Sequence, residues 1–258
     1  MTFVAKKRWG QHFLVDPNIL RKIEHCIAPD KDDIIIEIGP GQGALTEYLV
    51  RSGAVVHAVE IDPALATALR EKYASCERFH LWHQDALNVD LTQINGHQNM
   101  LRVVGNIPYN ITSPLLFKLF NNHDLVRDVY FLIQKELALR IVAPPGCKEY
   151  GILSVMTRFY AEPKVEFQVS PHVFRPEPRV TSSLIHLVMK PPGCRPEFQT
   201  QLRTVVRQAF NQRRKTLQNA LRPILPGGSN ACPIDLSRRA ESLSIAEFVT
   251  LTEWLYAP

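Results

Sequence analysis

Four short segments carry residues whose types and spacing could act together on one ligand. In Glu37-Ile38-Gly39-Pro40-Gly41-Gln42-Gly43 every second residue from Gly39 is a glycine, and a helical stretch follows from Ala44. Such a loop lets the backbone turn sharply and approach a ligand closely, with a helix N-terminus behind it. Glu60 ends His57-Ala58-Val59-Glu60, 17 residues past Gly43. An ionised carboxylate is an acceptor only, so Glu60 suits both hydroxyls of a ribose. Asp85, in His83-Gln84-Asp85-Ala86, is placed to accept from an adenine amino group. Gly39, Gly41, Glu60 and Asp85 therefore outline an adenosine site. The fourth segment, Asn106-Ile107-Pro108-Tyr109, combines an amide oxygen, a proline of fixed φ and an aromatic face. Stacking a base on that face is worth ~1–3 kcal/mol.

The elements that must hold these residues follow from the apolar pattern. Ile34–Ile38, Val55–Val59, Phe79–His83, Arg102–Gly105 and Val129–Ile133 are short apolar runs that read as buried strands. Between them come helical stretches near Asn18–Cys26, Ala64–Tyr73 and Leu115–Asn121. Their start signals are Asp16-Pro17, Asp62-Pro63 and Thr112-Ser113-Pro114. This alternation predicts an α/β fold with a doubly wound sheet over residues 33–133, and each acid or glycine loop falls at a strand's C-terminal end. Gly151–Tyr160 reads as helix, and Lys164–Val169 and Ser183–Met189 as strands closing the sheet. Lys190-Pro191-Pro192-Gly193 is the clearest linker, and after it the pattern is helical only, with a helix over Glu197–Phe210 and a capping box at Ser244 and Glu247. Two domains are expected, 1–190 and 191–258, with a Pro/Gly-rich loop from Pro223 to Pro233.

Charge supports that division. The chain has 258 residues and a net charge of only +5, too small to decide anything by itself. Residues 190–239, however, hold ten basic residues against Glu197 and Asp235, so that the other 208 residues carry a net −3. Arg207, Arg213, Arg214, Lys215 and Arg222 form the densest part, a cluster that suits the phosphates of a nucleic-acid backbone. The five cysteines lie at least 38 residues apart without metal-ligand spacing, which predicts reduced thiols and no metal site. No segment approaches the ~18 apolar residues of a membrane span, and no secretory signal opens the chain, so a cytoplasmic protein is expected.

The loop spacing resembles the S-adenosylmethionine loop of class I (Rossmann-like) methyltransferases. Asn106-Ile107-Pro108-Tyr109 resembles the catalytic motif of methyltransferases acting on exocyclic amines of bases. By that likeness the Asn106 oxygen and the Pro108 carbonyl accept both N6 protons of adenine. The nitrogen lone pair then points at the sulfonium methyl for in-line displacement, with positioning and electrostatics supplying the catalysis. Over about residues 5–255 the chain resembles the ribosomal small-subunit RNA adenine dimethyltransferases. The likeness rests also on Lys7-Arg8-Trp9-Gly10-Gln11-His12-Phe13-Leu14, on Phe174-Arg175-Pro176-Glu177-Pro178-Arg179-Val180-Thr181-Ser182, and on Ala209–Leu217. Trp9 stands where Phe is usual. The resemblance implies that His12 and Leu14 contact the cofactor, that Tyr109 and Phe174 pack against a flipped adenine, and that S-adenosylmethionine is the methyl donor. It further implies dimethylation of two adjacent adenosines near the 3′ end of small-subunit (16S) rRNA, within the 30S particle, by a monomer. Two alternatives stand beside it: a macrolide-resistance type enzyme acting on large-subunit rRNA with the same catalytic residues, and a non-enzymatic RNA-binding assembly factor.

Overall fold

A computed structural model describes residues 11–95, 100–225 and 231–257. Lys7-Arg8-Trp9-Gly10 and the middle of the 223–233 loop lie outside the described residues. The fold resolves into two compact units: residues up to Ala138 with Glu162–Lys190, and Leu139–Ala161 with Pro191 onward. The Lys190-Pro191-Pro192-Gly193 linker is thus the last of three crossings. Residues 139–161, assigned to the first domain by the sequence reading, cluster with the helical tail.

Among the described residues the first unit is built on nine strands, β1 (Phe13–Leu14), β2 (Ile34–Ile38), β3 (Val55–Glu60), β4 (Phe79–His83), β5 (Leu101–Asn106), β6 (Val126–Gln134), β7 (Ala161–Val169), β8 (Phe174–Arg175) and β9 (Ser182–Met189). Seven of them form one sheet in the order β4-β3-β2-β5-β6-β9-β7, parallel from β4 to β6, with β9 antiparallel to β6. The chain runs outward from β2 through β3 to β4, then returns to β5 on the other side. That reversal opens a crevice at the C-terminal ends of β2 and β5, the place where open α/β sheets hold ligands. A methyl group on Gly105 of β5 would collide with the Ile38 carbonyl of β2, so the two strands meet there at backbone contact.

Helices α1 (Pro17–Ile27), α2 (Ala44–Arg51), α3 (Pro63–Lys72), α4 (Leu91–Asn95) and α5 (Thr112–Asn121) belong to this unit, and α6 (Lys135–Val142) leaves it. Asp16 and Asp62 cap α1 and α3 as expected, accepting from Asn18 N at 2.7 Å and Ala64 N at 3.0 Å. Thr112-Ser113-Pro114 does not act as the expected cap. α5 already begins at Thr112, and that hydroxyl donates instead to the Pro108 carbonyl at 3.3 Å. At the opposite end of the sheet, Arg102 is 5% exposed and donates to Asp33 and Asp128 and to the Ile27 carbonyl at the end of α1. A charge so buried persists only when fully paired.

In the second unit α7 (Ile152–Tyr160), α9 (Leu217–Ala220) and α10 (Ile245–Leu255) pack on α8 (Pro196–Asn211) through Leu202, Val205, Val206 and Ala209. Ser244 and Glu247 form the expected capping box of α10, with Ser244 N to Glu247 Oε2 at 2.8 Å. All five cysteines are unpaired thiols. Among the described residues no helix is long and apolar enough to cross a membrane.

Candidate active site

A cavity of about 480 Å³ opens at the crevice between β2 and β5. Its walls include His12, Leu14, Gly39, Gly41, Glu60, Asp85, Asn106, Pro108 and Tyr109, so the structure brings together nine of the ten residues that the sequence assigns to cofactor and base. Gly41 has φ +58°, and a methyl group there would sit 2.9 Å from the Phe13 ring. Both the backbone shape and the ring packed on it disfavour a side chain at this position.

Glu60 ends β3 and is 4% exposed. Its two oxygens accept from Gly41 N at 3.1 Å and Asp62 N at 2.8 Å. Burial pushes its carboxyl above the ordinary range, and those two N–H groups only partly offset this. Asp85 accepts from Leu87 N at 2.8 Å through one oxygen, which starts a short turn over Ala86–Asn88 and leaves its other oxygen open. Glu37, which also lines the cavity, is not among the site residues expected from sequence. It is 2% exposed and accepts from Thr46 Oγ1 at 2.6 Å. Burial, with the nearby charge of Glu60 acting in the same direction, pushes its carboxyl up to about 7. The one available signal was its place directly before the glycine loop.

A strap over Gln11–Val15 forms one wall. Gln11 donates to Asp62 Oδ2 at 3.4 Å, and β1 pairs antiparallel with β8, Leu14 facing Phe174. His12 Nδ1 donates to the Pro176 carbonyl at 2.7 Å, which fixes the proton on that nitrogen because a carbonyl only accepts. The His12 and Tyr109 rings lie 6.1 Å apart and 25° from parallel. From the strap, the His12 carbonyl accepts the Asn106 amide N–H at 2.7 Å. The nitrogen side of Asn106 is thereby occupied, and its oxygen is left as an acceptor at the end of β5.

Two expectations are corrected. The Pro108 carbonyl accepts Ile111 N at 3.1 Å and the Thr112 hydroxyl at 3.3 Å, so it closes the turn into α5 instead of standing open to a base. The adjacent Ile107 carbonyl accepts nothing among the described residues, and Ile107 lines the cavity. Phe174 is 1% exposed and absent from the cavity wall. It packs with Leu14, Leu20, Tyr130 and Leu184 in the core, because β8 turns that side chain inward under the strap.

Arg207, Arg213, Arg214, Lys215 and Arg222 all lie exposed on the second unit. Arg213 is engaged there, pairing with Glu241 at 3.1 Å and donating to the Lys148 carbonyl. The other four have no ion pair among the described residues. Among the described residues no group of three or more His, Cys, Asp or Glu is arranged to hold a metal ion.

The family model described as ribosomal RNA adenine dimethylase matches residues 2–257. Relatives named "Ribosomal RNA small subunit methyltransferase A" match over nearly the whole chain. That of Aromatoleum aromaticum is 45% identical over 98% of this chain and 95% of its own. That of Methylococcus capsulatus is 42% identical over 99% of both. Among solved structures, a dimethyladenosine transferase from Plasmodium falciparum superposes with TM-score 0.80 at 23% identity, covering 93% of this chain and 96% of its own. The 23S rRNA methyltransferase ErmE superposes with TM-score 0.72, also at 23%, covering 94% and 99%. At such identities the two structures speak for the shared fold.

Proposed function

The chain belongs to the ribosomal RNA adenine dimethylase family, and on that premise we propose that it dimethylates N6 of two adjacent adenosines near the 3′ end of small-subunit (16S) rRNA. The substrate in this reading is the 30S particle, the methyl donor is S-adenosyl-L-methionine, and the protein works as a monomer in the cytoplasm. One observation supports the chemistry above all others: the His12 carbonyl holds the Asn106 amide nitrogen, which leaves the oxygen of this cavity-lining residue as an acceptor.

The cavity fits the methyl donor. A carboxylate and a second acid, Glu60 and Asp85, stand at successive strand ends for a ribose and an adenine amino group. Gly41, where a side chain would be strained, lets the backbone meet the ligand, and the strap residues His12 and Leu14 cover the remainder. When bound, S-adenosylmethionine supplies an electrophilic methyl group on a positively charged sulfur. Adenine N6 is a poor nucleophile because its lone pair is delocalised into the ring. The Asn106 oxygen and the open Ile107 carbonyl accept its two protons and draw the nitrogen toward tetrahedral geometry. Pro108 keeps that pair of acceptors rigid, since its own carbonyl is bound twice into the turn. Tyr109 offers its face to the base. Arg214, Lys215, Arg207 and Arg222 suit RNA phosphates, with Arg213 contributing less while it is paired to Glu241.

Tritiated methyl transfer onto undermethylated 30S and onto 50S particles tests the reading. Label should appear on two adjacent adenosines of the 30S particle and disappear with Asn106→Ala. Label confined to 50S would establish the large-subunit alternative. Assembly function retained in full by the inactive variant would establish the binding-only alternative.

A further inference from the structure

One end of the cavity rests on a residue outside every motif. Lys118, in the last turn of α5, extends its ammonium group to the Leu87 carbonyl at 2.8 Å and to the Val89 carbonyl. These two carbonyls close the short turn that Asp85 starts. A turn of three residues cannot satisfy its own exit carbonyls, and the lysine supplies donors for both. Lys118 is half-buried and borders a shallow surface pocket together with Val89, Leu91, Pro114 and Phe117. At the other end of the same helix, the Thr112 hydroxyl holds the Pro108 carbonyl of the base-binding turn. The six residues from Thr112 to Lys118 span about 9 Å at 1.5 Å per residue.

We infer that Lys118 is a positioning residue for the adenine end of the cofactor site, and that α5 serves as a strut fixing that end relative to the turn that presents the base. The inference rests on the reading of Asp85 as acceptor for the adenine amino group. Asp85 reaches into the cavity from the first residue of a turn whose far side hangs on Lys118. Without the ammonium, the Leu87 and Val89 carbonyls must turn to water, and the carboxylate at the head of the turn loses its fixed place. A group that accepts from a single N–H discriminates only while its position is held. Lys118 therefore contributes to selectivity for adenine while touching no ligand.

The test is calorimetric binding of S-adenosylhomocysteine and of its deaminated analogue, which carries hypoxanthine, to the full-length protein. Wild type, Lys118→Met and Asp85→Ala are compared. A charge-assisted hydrogen bond to the amino group predicts that wild type prefers the adenine compound by about 10–100-fold. Lys118→Met should lose most of that preference, mainly through weaker binding of the adenine compound, and its Leu87 and Asn88 amides should exchange hydrogen faster. Asp85→Ala should lose the preference as well. Retention of the wild-type preference by Lys118→Met, while Asp85→Ala loses it, overturns the role of Lys118 and leaves the Asp85 reading standing. Equal weakening of both compounds in Lys118→Met also overturns it, since the residue would then be a general support. A preference that survives Asp85→Ala overturns the Asp85 reading and the inference with it. Should Lys118→Met not fold, Lys118→Gln is measured in the same way.

Discussion

Replacing Glu37 by Gln should remove a specific part of the protein's pH dependence. Glu37 lies at the cavity floor, almost without solvent contact, and its carboxyl is pushed from 4.5 to about 7. An acid with a raised folded pKa is held protonated more tightly in the native state than in the unfolded chain. Its stabilising contribution is therefore complete below the ordinary value and is lost as pH rises through about 7. With 1.36 kcal/mol per unit, moving from about pH 5 to about pH 8.5 removes ~2.5 kcal/mol. His57 works in the opposite direction. Burial, and then the neighbouring His80, lower its pKa to about 4, so the stability it contributes grows as pH rises from about 4 to 6.5. The raw profile of wild type will consequently look flatter than either group alone would make it. The difference between wild type and Glu37→Gln isolates the carboxyl, because His57 and the raised Glu60 are common to both. Urea midpoints followed by tryptophan fluorescence across that range provide the measurement. Glutamine keeps an acceptor for the Thr46 hydroxyl and cannot titrate, so the variant should gain ~2.5 kcal/mol relative to wild type between the two pH limits. Parallel curves would refute the argument that burial raises the Glu37 carboxyl toward about 7.

Gly41→Ala forces a left-handed backbone angle on a residue with a side chain and presses a methyl against Phe13. A cost of ~1–3 kcal/mol is expected, seen as a lower Tm together with weaker S-adenosylhomocysteine binding as the strap is displaced. Arg102→Met leaves the buried acids Asp33 and Asp128 with only the half-exposed Arg127 as a cationic partner and should cost up to ~3–5 kcal/mol in urea unfolding at neutral pH. In wild type, burial raises the Asp33 carboxyl, but its bonds to Arg102 and the positive charges around it prevail and leave it below 3.8. That contribution is present above 3.8 and lost as pH falls through the lower folded value. The acid limb of unfolding should therefore be shallower in Arg102→Met. In the tail, the double variant Arg214→Ala, Lys215→Ala should reduce the slope of log affinity for an rRNA hairpin against log salt by about 1.4–1.8. An unchanged slope in a fluorescence-anisotropy titration would remove both residues from the phosphate contact. Arg213→Ala should shift that slope less, because its charge already faces Glu241.

What could be read from the sequence depended on whether local pattern or distant contact shaped an element. The strands Ile34–Ile38 and Phe79–His83 coincide with their apolar runs. β6 runs from Val126, three residues before its apolar run, because Arg127 and Asp128 interrupt the pattern. Asp128 is tolerated in the strand because Arg102 on the next strand pairs with it, a contact 26 residues away that no local window contains. β1 and β8 have two residues each and owe their existence to pairing with one another across more than 150 residues, so no periodicity announces them. Residue chemistry carried further than orientation. The acids, glycines and amide were assigned from type and place alone. Which way Phe174 faces, and which carbonyl of the Asn106–Tyr109 turn stays open, were decided by β8 and by Thr112.

The strap shows why these residues work as a set. The His12 carbonyl determines which face of the Asn106 amide is free, its ring stands near Tyr109, and Phe13 rests on Gly41. Moving Gln11–Leu14 outward would release all three at once. The Asn106 amide would lose its fixed orientation, the Tyr109 ring its neighbour, and the glycine loop its cover. Because the Leu14 side of the strap is stitched to β8, and the His12 side to Pro176, that movement must also disturb the segment beginning at Phe174. Burial of Phe174 then has a role that base stacking would not give it. With a large apolar side chain locked in the core at 1% exposure, β8 is a fixed rail for the strap. Truncating Phe174 to Ala should therefore impair cofactor binding as well as stability, the latter by ~3–5 kcal/mol. A variant that loses that stability but binds S-adenosylhomocysteine with unchanged affinity at low temperature would show that the strap is held by other means.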